Sequence, residues 1–438
     1  MRLDRIIGGG LLALGLIATA GPSVNYINTI LNSGVRWLVL LSIISFLILK
    51  NKLFIGFRGA SLVYALALLT LAAFSTIWST VPQLSGSKSA TFFAVAVAYS
   101  SAGAYWLQRA RRKSAMNVLW PLAVLALIAS LGGTLETAAT VQMNETVALY
   151  RGLTFNSNFL GMLILATLPL PLWRMSQSAI SVKERWFYYI LLASMLLILA
   201  STFSRASMLG AGILIFFYVM GRGMSRFILV LLGGILILLA APAFFPDQTA
   251  DFVAQYIYKG GDATEGLLAS REDTFNASLE GALQGGVFGL GYGVSYGFDD
   301  FSVGFASSGY GREKANLFLA IVEETGIVGL GLFLGMLLSL LGQGYAAING
   351  ARDQNTKLLL YLLVGYIVGL TVHAQFEAWM FSPGAALSPA FWAAIGMLTQ
   401  LSREILRKRS VKGRALRADQ RELLSSAYNR QSERTSDV

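Results

Sequence analysis

The chain contains no cysteine and a single histidine in 438 residues. Without cysteine there can be no disulfides, no thiolate catalysis and no cysteine-ligated zinc or iron–sulfur sites. One histidine also excludes a site built from several imidazoles. Charged residues are scarce, at 13% against about 25% in a soluble domain. Hydrophobic residues make up 55% of the chain, and the mean hydropathy is +0.61. These values predict an integral membrane protein, and we expect no metal ion or cofactor.

Apolar stretches of about 15 to 22 residues recur along the whole chain. This is close to the length that crosses about 30 Å of hydrocarbon at about 1.5 Å per residue. Twelve such stretches predict an all-α protein with about 12 transmembrane helices. The predicted spans are Ile6–Ala20, Val35–Leu49, Ser61–Trp78, Ala90–Leu107, Val118–Leu131, Asn158–Trp173, Trp186–Ser201, Ala206–Met220, Phe227–Phe245, Gly326–Ala347, Leu358–Val372 and Pro389–Leu401.

Basic residues alternate between the two sides of the predicted spans, as the positive-inside rule requires. The presumed cytoplasmic side holds 26 basic and eight acidic residues, a net charge of +18. The outer side holds eight basic and fifteen acidic residues, a net charge of −7. Its basic residues are Arg36, Lys88, Arg151, Arg205, Lys259, Arg271, Arg312 and Lys314. We therefore expect both termini to be cytoplasmic, and the total of +11 does not indicate nucleic-acid binding.

The predicted spans divide the chain into four parts. Residues 1–245 hold spans one to nine, and residues 316–401 hold spans ten to twelve. Between them, residues 246–315 form a large periplasmic loop with two amphipathic helices, around 252–257 and 275–283. Residues 402–438 form a basic cytoplasmic tail. The first span resembles a signal peptide ending in Ala18-Thr19-Ala20, and we expect it to be an uncleaved anchor.

Four arginines near the outer ends of spans are candidates for binding phosphate: Arg151, Arg205, Arg271 and Arg312. Charge is costly at this depth, so these side chains should face a cavity or one another. A guanidinium group also binds phosphate in bidentate fashion. Each arginine could instead pair with a local carboxylate or a lipid headgroup. That alternative is weakest for Arg205, because the nearest carboxylate in sequence, Glu184, lies on the opposite face.

A glycine-rich segment, Gly289-Leu-Gly-Tyr-Gly-Val-Ser-Tyr-Gly297, lies in the large outer loop. It lacks the preceding strand, the following helix and the lysine of a nucleotide-binding loop. Two interpretations remain open: a flexible loop packed on the spans, or a lid over a site at the membrane surface.

Several motifs follow one another in the chain from about residue 150 onward. They are Arg151-Gly-Leu-Thr-Phe-Asn-Ser-Asn158-Phe-Leu-Gly161, Ser201-Thr-Phe-Ser-Arg205-Ala-Ser207, Arg271 ahead of the glycine-rich segment, Asn316 followed by Gly326-Ile-Val-Gly329, and His373-Ala-Gln-Phe-Glu377. As an ordered set they resemble the O-antigen ligase and polymerase superfamily. The resemblance implies a GT-C-like enzyme of the bacterial inner membrane. Such an enzyme transfers a glycan from undecaprenyl pyrophosphate to an acceptor hydroxyl at the periplasmic face, without a metal.

The resemblance also implies that Arg205 and Arg271 bind the pyrophosphate. We predict Arg151, Asn158 and Arg312 as further substrate-binding residues. A pyrophosphate leaves without a proton when arginines meet its charge, and electrostatic stabilisation of this kind is often the largest catalytic contribution.

Ligases of this superfamily commonly carry histidine just before the Asn316 position, where this chain has Ala315. Either this subgroup works without that base, or the residue has been replaced. We predict Glu313, Glu324 and Asn316 as catalytic residues, with a carboxylate accepting the acceptor's proton. Further carboxylates that could accept it are Glu323 and Glu377. We expect His373 to be a structural residue bonded to a backbone carbonyl.

Three classes of function stay open at this point. The leading one is a ligase or a polymerase whose partners are the lipid-linked donor, a glycolipid or glycan acceptor, and the lipid bilayer. A transporter or flippase would be expected to show an internal repeat and broken helices with charges near the bilayer midplane. A non-catalytic assembly partner is favoured if Ala315 abolishes the chemistry.

Overall fold

The computed structural model describes residues 2–135, 141–143, 147–252, 272–297 and 314–408. Most of these residues are helical. The helices are α1 (Arg2–Ala20), α2 (Ser33–Leu49), α3 (Ala60–Phe74), α4 (Pro82–Arg109), α5 (Trp120–Leu135), α6 (Ser157–Thr167), α7 (Pro169–Met175), α8 (Val182–Ser201), α9 (Arg205–Arg222), α10 (Met224–Phe244), α11 (Pro246–Phe252), α12 (Glu272–Gly285), α13 (Leu317–Gly350), α14 (Gln354–Ala374) and α15 (388–408). A short antiparallel hairpin joins β1 (Val141–Met143) to β2 (Val147–Leu149), with Val141 opposite Leu149. The prediction of an all-α integral membrane protein is confirmed, with this hairpin as a small addition.

Every predicted span coincides with helical structure. Within the described residues, eight helical segments are long and apolar enough to cross a membrane. They are Leu3–Ser23, Ala60–Ile77, Pro82–Arg109, Arg112–Leu131, Ser157–Met175, Val182–Ser201, Leu317–Gly350 and Gln354–Ala374. The other four predicted spans fall on α2, α9, α10 and α15. The chain is therefore a multi-pass membrane protein, and the count of twelve spans stays a prediction.

Short polar side chains determine where several helices begin. The side chain of Asn32 accepts hydrogen bonds from the first amides of α2, and Asn156 does the same for α6. Ser181 caps α8 and Asp353 caps α14 in the same way. Such caps satisfy backbone N–H groups that have no partner within the helix. Each apolar stretch therefore starts as a helix at a defined residue.

Close backbone contact between glycines joins α9 to α14. A methyl group built on Gly210 would lie 2.9 Å from the carbonyl oxygen of Gly369. One built on Gly369 would lie 2.6 Å from the carbonyl oxygen of Gly210. Small residues that let backbones approach are typical of helix contacts within membranes. This contact fixes the register in which the first turn of α9 faces the last turn of α14.

The helices run back and forth between two ends of one bundle. At one end, the backbone of Val24 pairs with Thr154, and the amide of Tyr150 donates to the carbonyl of Ser201. We name this the motif end, because the segments before α6, before α9, before α13 and after α14 all lie there. At the other end, Lys50 lies 2.7 Å from Asp4. We name this the basic end; it also holds Arg112, Arg174, Arg222 and Arg352.

Only part of the predicted outer loop lies within the described residues. The second predicted amphipathic helix coincides with α12. The first falls largely on residues 253–271, outside the described residues, and most of the predicted tail does as well. The division of the chain into four parts stays a prediction.

Candidate functional site

Arg205 is the first residue of α9 and is half-buried at the motif end. The turn before it is tightly built. Phe203 adopts a left-handed conformation with φ of 52°, and the Thr202 hydroxyl accepts the amide hydrogen of Ser204 at 3.2 Å. A left-handed φ is uncommon for a bulky residue and indicates a turn that its surroundings hold in place. The guanidinium group therefore projects from a fixed helix start.

A chain of buried hydrogen bonds joins α9 to α14 next to Arg205. The indole of Trp379 donates to His373 Nδ1 at 2.9 Å, and His373 Nε2 lies 3.1 Å from the hydroxyl of Ser207. Because an indole N–H can only donate, Nδ1 is an acceptor and the neutral ring carries its proton on Nε2. Ser204 also donates to Ser207 at 2.9 Å. The expected backbone carbonyl partner of His373 is replaced by these side chains, which bind the ring from both sides.

The Arg151 segment is held against the same place. Gly152 adopts φ of +55°, and the amide of Leu153 donates to the carbonyl of Ala129 at 2.7 Å. Arg151 is half-buried, with Nη1 3.4 Å from the carbonyl of Phe155. Burial raises the pKa of the neighbouring Tyr150 phenol. The segment is thus an ordered connection that keeps Arg151 at the motif end.

The remaining residues of the Arg151 motif lie in the first turns of α6, which pack against α9. Asn158 is half-buried in the first turn, and Gly161 follows one turn later. A methyl group on Gly161 would lie 2.8 Å from the Ser204 Cβ and 2.8 Å from the Ser207 hydroxyl. Gly161 is therefore the residue that lets α6 pack directly on the start of α9. Three of the sequence motifs meet here, namely those of Arg151, Arg205 and His373.

Asn316 caps α13 at the same end of the bundle. Its Oδ1 accepts the amide hydrogens of Phe318 at 2.8 Å and Leu319 at 3.1 Å, and its Nδ2 donates to the Gln375 carbonyl at 3.0 Å. The preceding Ala315 is buried, and its amide donates to Ser278 of α12 at 3.1 Å. Asn316 thus joins a fourth motif to the others. Its predicted catalytic role stays a prediction, and its contacts are those of a helix cap.

A buried group of charges surrounds the second turn of α13, which carries Glu323 and Glu324. Lys314 Nζ is 2.5 Å from Glu324 Oε1 and 3.3 Å from Glu323 Oε2. Glu324 is 2% exposed and Glu323 is 0% exposed. Lys88 of α4 adds a second ammonium, 3.1 Å from the carbonyl of Gly293. We name these four residues the charge cluster; their formal charges sum to zero.

The glycine-rich segment wraps the charge cluster. The amide of Gly293 donates to Glu324 Oε2 at 2.8 Å, and the amide of Tyr296 donates to Glu323 Oε1 at 2.8 Å. Lys314 also donates to the carbonyl of Val294 at 3.0 Å. Of the two interpretations of this segment, these contacts favour the packed loop, because both carboxylates bind its backbone. The predicted base Glu324 serves as an anchor for that loop in this arrangement.

Helix α13 is broken at Gly326, where φ is +72° and ψ is −176°. That conformation is essentially restricted to glycine. A methyl group at Gly326 would collide with the carbonyl of Val287, and one at Gly289 would collide with the backbone of Glu324. The break therefore creates the space in which the glycine-rich segment meets the charge cluster. In the sequence, Gly326 was the predicted start of a span, and the helix instead begins at Leu317.

Three of the predicted site residues, Arg271, Arg312 and Glu313, lie outside the described residues. The others, Arg151, Asn158, Arg205, Asn316 and Glu324, all lie at the motif end. Sequence reasoning assigned no role to Lys88, Ser207 or Trp379. Lys88 could have been noticed as one of the few basic residues on the predicted outer side. Ser207 lies within a motif and Trp379 lies beside one, and the sequence contains no other indication of their roles. Within the described residues, no group of three or more acidic or histidine side chains could hold a metal ion.

The fold and the site together define the class of this protein: it is a multi-pass membrane protein with a polar site at one end of its helix bundle. Residues 190–334 match the family described as O-antigen ligase. That range runs from α8 into α13 and includes Arg205, the glycine-rich segment and the break at Gly326. The resemblance to the O-antigen ligase and polymerase superfamily is confirmed by this match over residues 190–334.

Solved structures and curated proteins provide two further comparisons. The chain is similar to one in a solved structure that describes the structural coordination of polymerization and crosslinking by a peptidoglycan synthase complex. The two are 18% identical, the match covers 78% of this chain and 97% of that one, and the TM-score is 0.41. No curated protein matches the chain.

Proposed function

We propose that this protein transfers a glycan from undecaprenyl pyrophosphate to an acceptor hydroxyl, as an O-antigen ligase or polymerase. The reaction takes place at the motif end of the bundle and needs no metal. One observation carries the proposal: the Arg151, Arg205, Asn316 and His373 motifs, far apart in sequence, meet at this end through direct hydrogen bonds and a glycine contact. The matched O-antigen ligase range supplies the family context.

Arginines at the motif end bind the donor's pyrophosphate. Arg205 and Arg151 each project from a backbone that hydrogen bonds fix in place, and such preorganised positive charge stabilises charge that develops on a leaving group. Arg271 joins them by the family resemblance, and Arg312 joins them by its predicted place near the outer end of a span. Asn158, half-buried in the first turn of α6, offers an amide donor and acceptor to the same substrate. Because the pyrophosphate leaves as an anion, no proton donor is required at that position.

The proton of the acceptor hydroxyl needs a base. Glu324 is enclosed with Lys314 and the amide of Gly293, so it serves better as an anchor than as a proton acceptor. Glu377 is half-exposed in the turn after α14, two residues from Trp379. We propose Glu377 or Glu313 as the proton acceptor. Glu377→Gln should then lower the rate of transfer while donor binding persists, and unchanged transfer would leave Glu313 as the candidate.

Product analysis tests the proposed reaction. The purified protein is reconstituted with a defined undecaprenyl-pyrophosphate glycan, with and without a lipid A core acceptor, and the products are resolved on a gel. A ladder on the original lipid indicates a polymerase, and a single shift of the core indicates a ligase. The absence of any covalent product would contradict both.

A transporter of lipid-linked glycans is the second candidate, and one observation favours it. The break in α13 with buried carboxylates beside it is a feature that such transporters use for coupling ions. Here both carboxylates bind lysine, which argues against a proton relay. If a labelled lipid-linked glycan crosses the liposome membrane and no covalent product forms, the result favours the transporter. If the glycan neither crosses nor reacts, the result favours an assembly partner.

We also propose that the motif end faces the periplasm and both termini face the cytoplasm of a bacterial inner membrane. The charge asymmetry of the connections supports this orientation. Because the chain has no cysteine, single cysteines report accessibility without background. Ser87→Cys at the motif end should react with an impermeant maleimide from outside the inner membrane, and Asn355→Cys at the basic end should not. The reverse pattern would invert the orientation.

A further inference from the structure

A small cleft opens at the motif end where α1, α2, α4 and the turn before α15 meet. Its volume is about 40 Å³, room for roughly three water-sized groups. The cleft is apolar apart from one guanidinium group and a few hydroxyls. Its lining includes Thr19, Arg36, Trp37, Val95, Tyr99 and Gly384. Neither Arg36 nor this cleft has a part in the proposed glycan transfer.

Arg36 has different partners from Lys50 at the basic end and Lys314 at the motif end. Its Nη1 donates to the carbonyl of Gly384 at 3.0 Å, and within the described part of the chain it forms no ion pair with a carboxylate. Lys50 and Lys314, by contrast, each bind a carboxylate. A guanidinium group has five N–H donors, so most of those on Arg36 remain available to an anion.

The position of Arg36 indicates which kind of anion would bind to it. It lies in the first turn of α2, about 5 Å along the axis from the helix start, which places it near the depth of lipid headgroups. Trp37 beside it is 43% exposed, as expected of an aromatic residue at the membrane interface. Leu38 and Leu41 are exposed on the outer face of the same helix, where lipid chains would contact them. A headgroup phosphate on Arg36 would thus have its apolar chain along α2.

We infer that the cleft is a binding site for the phosphate group of a membrane lipid. Arg36 meets the phosphate charge with a guanidinium fork, the geometry that suits phosphate best. The first carbons of the lipid chain lie against Leu40 and Val95, which line the cleft. The site is separate from the one that holds Arg205, and its occupancy does not depend on whether the protein transfers glycans.

Native mass spectrometry of the full chain in detergent tests the inference. The probes are phosphatidylglycerol and undecaprenyl phosphate, added separately, with diacylglycerol as the phosphate-free control lipid. Arg36→Gln should weaken binding of a phosphate-bearing probe about tenfold, the usual effect of losing a charged hydrogen-bond donor. Val95→Phe, which fills the cleft and keeps the arginine, should weaken it as well. Arg112→Gln at the basic end is the matched control and should bind as the unchanged protein does.

The two probes identify the source of the phosphate. If the two variants lose binding only of phosphatidylglycerol, the site is assigned to a phospholipid. If they lose binding only of undecaprenyl phosphate, it is assigned to a polyprenyl lipid. The inference is overturned if Arg36→Gln and Val95→Phe bind both probes as the Arg112→Gln control does, or if diacylglycerol binds equally well. Should Arg36→Gln fail to fold, Val95→Phe decides between these results.

Discussion

The two ends of the helix bundle use charged residues in different ways. At the basic end, Arg112 pairs with Asp353 at 3.2 Å while both side chains remain substantially exposed. At the motif end, Lys314 and Glu324 pair at 2.5 Å with side chains only 3% exposed. Exposed pairs contribute little to stability, whereas removing one member of a buried pair strands the other charge. The Arg112–Asp353 pair therefore stays at the surface of the basic end, whereas the Lys314–Glu324 pair is part of the protein interior at the motif end.

The largest expected effect comes from breaking the charge cluster. Lys314→Met leaves Glu323 and Glu324 buried without their nearest cation, and we expect a loss of about 3–5 kcal/mol in unfolding free energy. Arg112→Met at the basic end should cost under about 1 kcal/mol. Thermal unfolding of both variants in the same detergent measures the difference. Equal losses of unfolding free energy in the two variants would show that the buried and the exposed ion pair contribute alike to stability.

A somewhat smaller effect is expected from the break in α13. Gly326→Ala forces a side chain into a conformation reserved for glycine and against Val287, at a cost of about 1–3 kcal/mol or more. Gly331→Ala in the same helix has open space around the new methyl group and should be neutral or stabilising by up to about 1 kcal/mol. Both are compared by thermal unfolding. If the two alanine variants unfold at the same temperature, α13 is continuous through Gly326.

The hydrogen-bond chain at the start of α9 should show a smaller effect on stability. Ser207→Ala leaves the buried N–H of His373 without its serine partner, which should cost about 1–3 kcal/mol. Ser339→Ala, on a half-buried serine that bonds only its own helix, should stay within about 0.5 kcal/mol. Unfolding measurements again compare the pair. A neutral Ser207→Ala would mean that His373 does not depend on α9 for its position.

The helices of this protein could be predicted from sequence because their apolar stretches are long and their caps are local. The boundaries were less predictable where polar residues find distant partners. The fourth span was expected from Ala90, but α4 begins at Pro82. The extra turns carry Ser85 and Lys88, whose partners Ser79 and the carbonyl of Gly293 come from other segments. Local sequence gives no indication of such partners.

The candidate site was predictable only in outline. Alternating spans imply that Arg151, Arg205 and Asn316 share one end of the bundle, and they do. The pairing of Lys314 with Glu324 could not be foreseen, because it requires the break at Gly326 and the glycine-rich segment to be in place. The sequence Gly326-Ile-Val-Gly329 resembles an ordinary small-residue pattern within an apolar helix. Only the backbone geometry distinguishes the first of these glycines from the second.

We propose that glycan transfer takes place at the motif end of the bundle and not at the basic end. Helix α9 offers a direct test, since Arg205 begins it at the motif end and Arg222 ends it at the basic end. Glycan transfer from a defined undecaprenyl-pyrophosphate donor is measured for Arg205→Ala and Arg222→Ala after correct insertion of each is verified. We expect Arg205→Ala to lose about 3 kcal/mol of transition-state stabilisation, roughly a hundredfold in rate. We expect Arg222→Ala to keep nearly full activity, and full activity in Arg205→Ala would contradict the proposed role of the motif end.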